Sequence, residues 1–128
     1  MDIRTEIAKL NLPPESFIVV GSGILHTLGI RESDDVDIIV SPKLFAELEQ
    51  QAGWEHYTRQ GQTLIRRGML DIGTAWGEYD VATVRPFTTV IDGLRYVSLA
   101  NLRQWKQHNA RPKDLQDVTL IDTYLANQ

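Results

Sequence analysis

The chain has 128 residues, 42% apolar and 23% charged, a globular balance that argues against disorder, collagen and coiled coil. Thirteen Lys and Arg against 17 Asp and Glu give a net charge of −4, so non-specific coating of nucleic acid is not expected. There is no cysteine, which removes disulfides, Cys-ligated zinc, iron–sulfur clusters and thiol nucleophiles, and no apolar run reaches the ~18 residues of a membrane helix. Met1-Asp2-Ile3-Arg4 carries no apolar signal region. The expectation is therefore a cytoplasmic α/β or α+β protein, with residues 1–128 forming one domain.

Ile3, Ile7 and Leu10 lie at helical spacing in a segment from Asp2 to Leu12, which Pro13-Pro14 stops. Phe17-Ile18-Val19-Val20 reads as a short buried strand, broken by Gly21-Ser22-Gly23. Ile24, Leu25 and Leu28 fit a short helix ending near Gly29. Residues 35–40, Asp-Val-Asp-Ile-Ile-Val, read as a second strand, and Ser41-Pro42 is a helix start with Ser at the N-cap and Pro in the first turn.

From Trp54 to Val84 the pattern is extended. Residues 63–66 and 69–72 read as strands meeting at Arg67-Gly68, and Tyr79-Asp80-Val81-Ala82 as another. Ser98 caps a helix carrying Leu99, Leu102 and Trp105. Arg111-Pro112 opens a last helix expected to turn Leu115, Val118, Ile121 and Leu125 inward. Early alternation of helix and strand, followed by a strand cluster and two helices, predicts a small mixed sheet with helices packed on it.

The chemistry concentrates in Val20-Gly21-Ser22, a gap of twelve residues, then Asp35-Val36-Asp37-Ile38. Gly21 lets the chain turn tightly after a strand, and Ser22 and Gly23 fall at a helix N-terminus, where free N–H groups favour a phosphate. Asp35 and Asp37 are two apart on a strand, so both carboxylates face one side and repel unless a cation lies between them. Oxygen ligands of this kind suit Mg²⁺ or Mn²⁺. Acidic residues are also disfavoured in a strand that looks as buried as this one.

This stretch resembles the signature of the nucleotidyltransferase superfamily, shared by polymerase beta and the antibiotic nucleotidyltransferases: a hydrophobic residue, Gly, Gly or Ser, a gap, then Asp-hydrophobic-Asp/Glu-hydrophobic. The resemblance implies that Gly21 and Ser22 bind the phosphates of an NTP and that Asp35 and Asp37 bind Mg²⁺. It also implies a third carboxylate from a later strand, which helps activate an acceptor hydroxyl. Asp71 in Met69-Leu70-Asp71-Ile72-Gly73 is the first choice and Asp80 the second.

The tail carries a second resemblance. Trp105-Lys106, then Arg111-Pro112-Lys113-Asp114-Leu115-Gln116-Asp117-Val118, is similar to the ends of small bacterial nucleotidyltransferase-like proteins used as toxins or antitoxins in abortive-infection systems. Those often read Gly-Arg-Pro-Lys-Asp-Leu-x-Asp-Ile, and here Ala110 replaces the Gly and Val118 the Ile. Lys106 and Lys113 become candidate nucleotide-binding residues. The plainer alternatives are a solvated Lys106 and a Lys113–Asp117 pair at i,i+4 on a normally capped helix.

Two functions follow. One is NMP transfer from an NTP to an unidentified hydroxyl acceptor, with a protein partner or a second copy completing the site. The other is a non-catalytic, antitoxin-like partner module that keeps the fold. Gly21-Ser22-Gly23 also matches the start of a dinucleotide fingerprint, but His26 stands where its third Gly is needed for close helix–strand packing. No P-loop lysine follows the glycines. Trp54, Trp76 and Trp105 are scattered in sequence and are expected in the core rather than in a stacking platform.

Overall fold

The computed structural model describes residues 2–128. Its frame is one seven-stranded mixed sheet with strand order β3-β4-β5-β2-β1-β7-β6. In chain order the elements are α1 (Ile3–Ala8), β1 (Phe17–Val20), α2 (Gly23–Thr27), β2 (Val36–Val40), α3 (Pro42–Glu49), β3 (Glu55–Arg59) and β4 (Gln62–Arg67). There follow β5 (Leu70–Gly73), α4 (Val81–Val84), a 3₁₀ turn (Arg85–Phe87), β6 (Thr88–Ile91), β7 (Leu94–Val97), α5 (Leu99–Asn109) and α6 (Pro112–Ala126). The expected α/β class with a mixed sheet is the fold found.

Local signals place several elements. Ser41 caps α3 by accepting a hydrogen bond from the Leu44 backbone N–H, with Pro42 in the first turn. Ser98 caps α5 in the same way through Asn101. The β4–β5 hairpin turns at Gly68-Met69, one residue beyond the expected Arg67-Gly68, because Arg67 still pairs with Leu70. The core gathers on the central strands: Ile18, Val19, Val36, Ile38 and Ile72 are buried together with Ile24 and Leu25 of α2.

Three expectations need correction, and one hairpin was not anticipated. The first helix ends at Ala8 rather than reaching Leu12. The segment expected as a strand at Tyr79–Ala82 is instead a turn leading into α4. Asp80 caps that helix by accepting from the Thr83 N–H, while the Thr83 hydroxyl accepts from the Asp80 N–H. This reciprocal capping box outweighs the weak strand propensity of four residues. The β6–β7 hairpin has no counterpart in the sequence reading. On α6, Leu115 and Leu125 are exposed, and Asp114, Asp117 and Ile121 face inward.

Topology decides where the site forms. β2 pairs parallel with β5, in a register that sets Asp37 opposite Asp71. β5 pairs antiparallel with β4, setting Asp71 opposite Arg66. Residues opposite one another share a sheet face, so Asp37, Asp71 and Arg66 all project to one side. Among the described residues no helix is long and apolar enough to cross a membrane.

Candidate active site

A cavity of about 580 Å³ opens over this sheet face. The Gly21-Ser22 turn, the Asp35/Asp37/Asp71 cluster, the Trp76–Trp105 pair and the cations of α5 and α6 all contribute to its lining.

The turn is built for close approach. Gly21 has φ +63°, a left-handed conformation that side chains disfavour. A Cβ there would lie 3.2 Å from Asp37 Oδ2, so glycine also keeps the turn against the carboxylate. Ser22 is the N-cap of α2 but makes no side-chain capping bond. Its hydroxyl instead accepts from Arg31 Nη2 at 3.0 Å, which leaves the hydroxyl proton free to donate into the cavity.

The acidic cluster carries more negative charge than its neighbours neutralise. Asp71 is fully buried and tightly held. It accepts from Arg66 Nε at 2.8 Å, from Arg66 Nη2 at 3.0 Å and from the Tyr57 hydroxyl at 2.6 Å. Arg66 Nη2 also reaches Asp35 Oδ2 at 3.4 Å. Asp37 is less well served, since Arg59 Nη2 comes only within 3.8 Å of Oδ1, and that buried oxygen has no hydrogen-bond partner. Burial, followed by the charges of Asp35 and Asp71, pushes the Asp37 carboxyl up to about 6. Burial and the bond to Asp71 push the Tyr57 hydroxyl up to about 12, keeping it a donor.

A hard divalent cation fits Asp35 and Asp37. It would supply the charge that Asp37 Oδ1 lacks and separate two repelling carboxylates. Among the described residues no three His, Cys, Asp or Glu side chains are gathered as ligands of one ion. At Asp71 the guanidinium of Arg66 already makes the charge contact. Asp80, the second choice for the third carboxylate, is exposed, serves α4 as its cap and does not line this cavity.

The basic side of the cavity belongs to α5 and α6. Lys106 is 2% exposed; its Nζ lies 2.8 Å from Asp117 Oδ2 and 3.6 Å from Asp114 Oδ1. The alternative of a solvated Lys106 does not hold, since the side chain is buried. Arg31 closes on Asp117 with two bonds of 2.6 and 2.8 Å, and Arg111 on Asp114 with bonds of 2.7 and 3.1 Å. Burial works to raise both carboxyl groups, but the guanidinium and ammonium bonds outweigh it and hold them below the usual range. The alternative Lys113–Asp117 pair does not form. Asp117 turns inward to Arg31 and Lys106, and Lys113 stays exposed at the cavity mouth.

Arg31, Arg59, Arg66 and Tyr57 are not among the expected site residues. Only strand pairing brings Arg66 and Tyr57 to Asp71. The tryptophans join the core as expected, Trp54 and Trp76 buried in it and Trp105 packed against it, and two of them also reach the cavity. Trp76 and Trp105 stack at 5.0 Å between ring centroids and form the aromatic wall of the cavity, while Trp54 lies apart under Arg67.

No protein-family model matches the chain, and no curated protein matches it. Among solved structures it is similar to ANT(2")-Ia, crystallised in complex with adenylyl-2"-tobramycin. The TM-score is 0.58 at 20% identity, over 96% of this chain and 85% of that one. The two chains share a fold. The likeness extends over nearly all of the present chain.

Proposed function

We propose that the chain is a Mg²⁺-dependent nucleotidyltransferase that moves the NMP group of an NTP to a hydroxyl acceptor. The observation that carries this reading is one cavity lined by an acid-rich cluster, a base-rich cluster and a strand-to-helix glycine–serine turn. A metal–triphosphate needs both signs of charge at close range. That ANT(2")-Ia was crystallised with an adenylylated compound supports reading the shared fold in this way.

In this reading the Gly21-Ser22 turn, Arg31, Lys106 and Lys113 hold the phosphates. Arg31 and Lys106 are preorganised for the task, because Asp117 fixes both cationic groups before a ligand arrives. Asp35 and Asp37 hold the cation, with Asp71 as the third carboxylate of the cluster. Mg²⁺ there would activate the attacking oxygen and neutralise the leaving pyrophosphate. The acceptor oxygen bonds to the α-phosphorus, the α–β phosphoanhydride bond breaks, and the acceptor proton passes to a carboxylate of the cluster. The Trp76–Trp105 wall offers apolar surface to a ring of either substrate.

The test is equilibrium binding of labelled ATP, GTP, CTP and UTP with Mg²⁺, for the native chain and Asp37→Ala. Metal-dependent binding that the variant loses is the expected result, and it names the base to use in acceptor screens. No binding of any NTP by folded protein would overturn the enzyme reading in favour of a partner module, antitoxin-like, that keeps the fold without the chemistry.

A further inference from the structure

We propose that Arg66 is an internal counter-cation that keeps Asp71 closed to metal, so that the nucleotide-free site takes one divalent ion, on Asp35 and Asp37, and admits a second only when Arg66 leaves. The inference rests on the functional reading above and concerns the loading of that same site.

The geometry of Asp71 motivates it. Both of its oxygens are taken. Oδ1 accepts from Arg66 Nε and from the Tyr57 hydroxyl, and Oδ2 accepts from Arg66 Nη2. A bidentate guanidinium–carboxylate pair directs its donors along the lone pairs a metal ion would use. Asp71 itself is fully buried, whereas the Arg66 side chain is 42% exposed. The acid is therefore fixed and the cation is the partner free to depart.

Asp37 contrasts with it on the adjacent strand. Its Oδ1 is buried and makes no hydrogen bond, and the nearest guanidinium stands 3.8 Å away. One carboxylate of the cluster thus has an open oxygen, and its immediate neighbour has none. Tyr57 strengthens the asymmetry, because its hydroxyl donates to the Asp71 oxygen that Arg66 Nε also uses.

Sheet pairing sets the arrangement. Arg66 lies opposite Asp71 across β4 and β5, and Tyr57 is on the same face of β3, so the β3–β4 hairpin supplies both groups that close the carboxylate. The Arg66 side chain is half-exposed, so rotation towards solvent is the route by which it would leave.

The test counts Mn²⁺ ions bound per chain, by the spectroscopic signal of free Mn²⁺ and by calorimetry, without nucleotide. It uses the native protein, Arg66→Gln, Arg66→Lys and the double variant Arg66→Gln/Asp71→Asn. One ion is expected for the native chain and two for Arg66→Gln, the second disappearing in the double variant. Arg66→Lys keeps the charge but loses the bidentate fork, and should bind the second ion more weakly than Arg66→Gln. If Arg66→Gln does not fold, Arg66→Lys decides alone: a weak second ion is expected on it, and a single ion would overturn the closure. Two ions on the native chain, or a single ion on both Arg66 variants, would overturn the closure and leave the metal site standing. No Mn²⁺ on any folded protein would overturn the metal reading together with it.

Discussion

Two clusters of charge share one cavity and are built on opposite terms. Around Asp35, Asp37 and Asp71 the cations are Arg59 and Arg66, and acid is in excess. Around Asp114 and Asp117 the cations are Arg31, Lys106 and Arg111, and base is in excess. The carboxylates respond in opposite directions: Asp37 is pushed up, whereas Asp114 and Asp117 are held down. Burial works to raise all three, and only at Asp114 and Asp117 do bonded cations outweigh it. What separates them is compensation. An acid whose oxygens are all bonded contributes to structure, and one with an orphaned oxygen is poised for a ligand.

The largest effect should come from breaking the compensated cluster. Asp117→Ala leaves Lys106 and Arg31 without their principal partner in a water-poor setting, which should cost about 3 kcal/mol or more in urea unfolding at neutral pH. The native Asp117 has a depressed folded value, so its contribution is present above the ordinary carboxylate range and lost as pH falls through it. The gap between variant and native protein should therefore narrow in acid. A gap that stays constant down to pH ~3 would show that the ion pairs are not what stabilises this corner.

The acid-rich cluster should show the opposite sign. Below about pH 4, Asp37 is protonated in both folded and unfolded chains and makes no difference. As pH rises towards about 6, the folded chain still holds a proton that the unfolded chain has lost. Above that point the folded state carries an uncompensated charge, and the native protein has lost stability relative to a neutral side chain. Asp37→Asn should thus be more stable than the native chain by about 1–2 kcal/mol near pH 8, discounted for partial exposure, and equal to it near pH 4. Thermal melts in metal-free buffer across this range check the crossover. Saturating Mg²⁺ should stabilise the native protein and not the variant.

The smallest effect is expected outside both clusters. Asp80→Ala removes the exposed cap of α4 and should lower the melting temperature slightly, with NTP binding unchanged. A large loss of nucleotide binding in this variant would return Asp80 to the site and displace Asp71.

Much of the site's frame was legible in the sequence because its signals are local. The Phe17–Val20 strand, the Gly21-Ser22 turn and the Asp35/Asp37 pair lie in sequence as they lie in space, through one strand, one short helix and the next strand. The helix starts at Ser41-Pro42, Ser98 and Arg111-Pro112 also depend on a few adjacent residues. Such features are decided by dihedral preferences and neighbouring hydrogen bonds, and a chain carries them wherever it folds.

The tertiary structure decided the rest. Asp71 joins Asp37 only because β5 lies parallel to β2 in one particular register, and Arg66 and Tyr57 reach it only through the β3–β4 hairpin. No periodicity within a strand specifies which strand it will pair with. The inward face of α6 is a second case. Its leucines suggested one buried stripe, yet Asp114 and Asp117 turn inward to meet Lys106 and Arg31, and Leu115 and Leu125 remain in water. That choice depends on cations supplied from residues far away in sequence. A single helix can show which residues share a face, but only the completed cavity holds the charges that decide which face is buried.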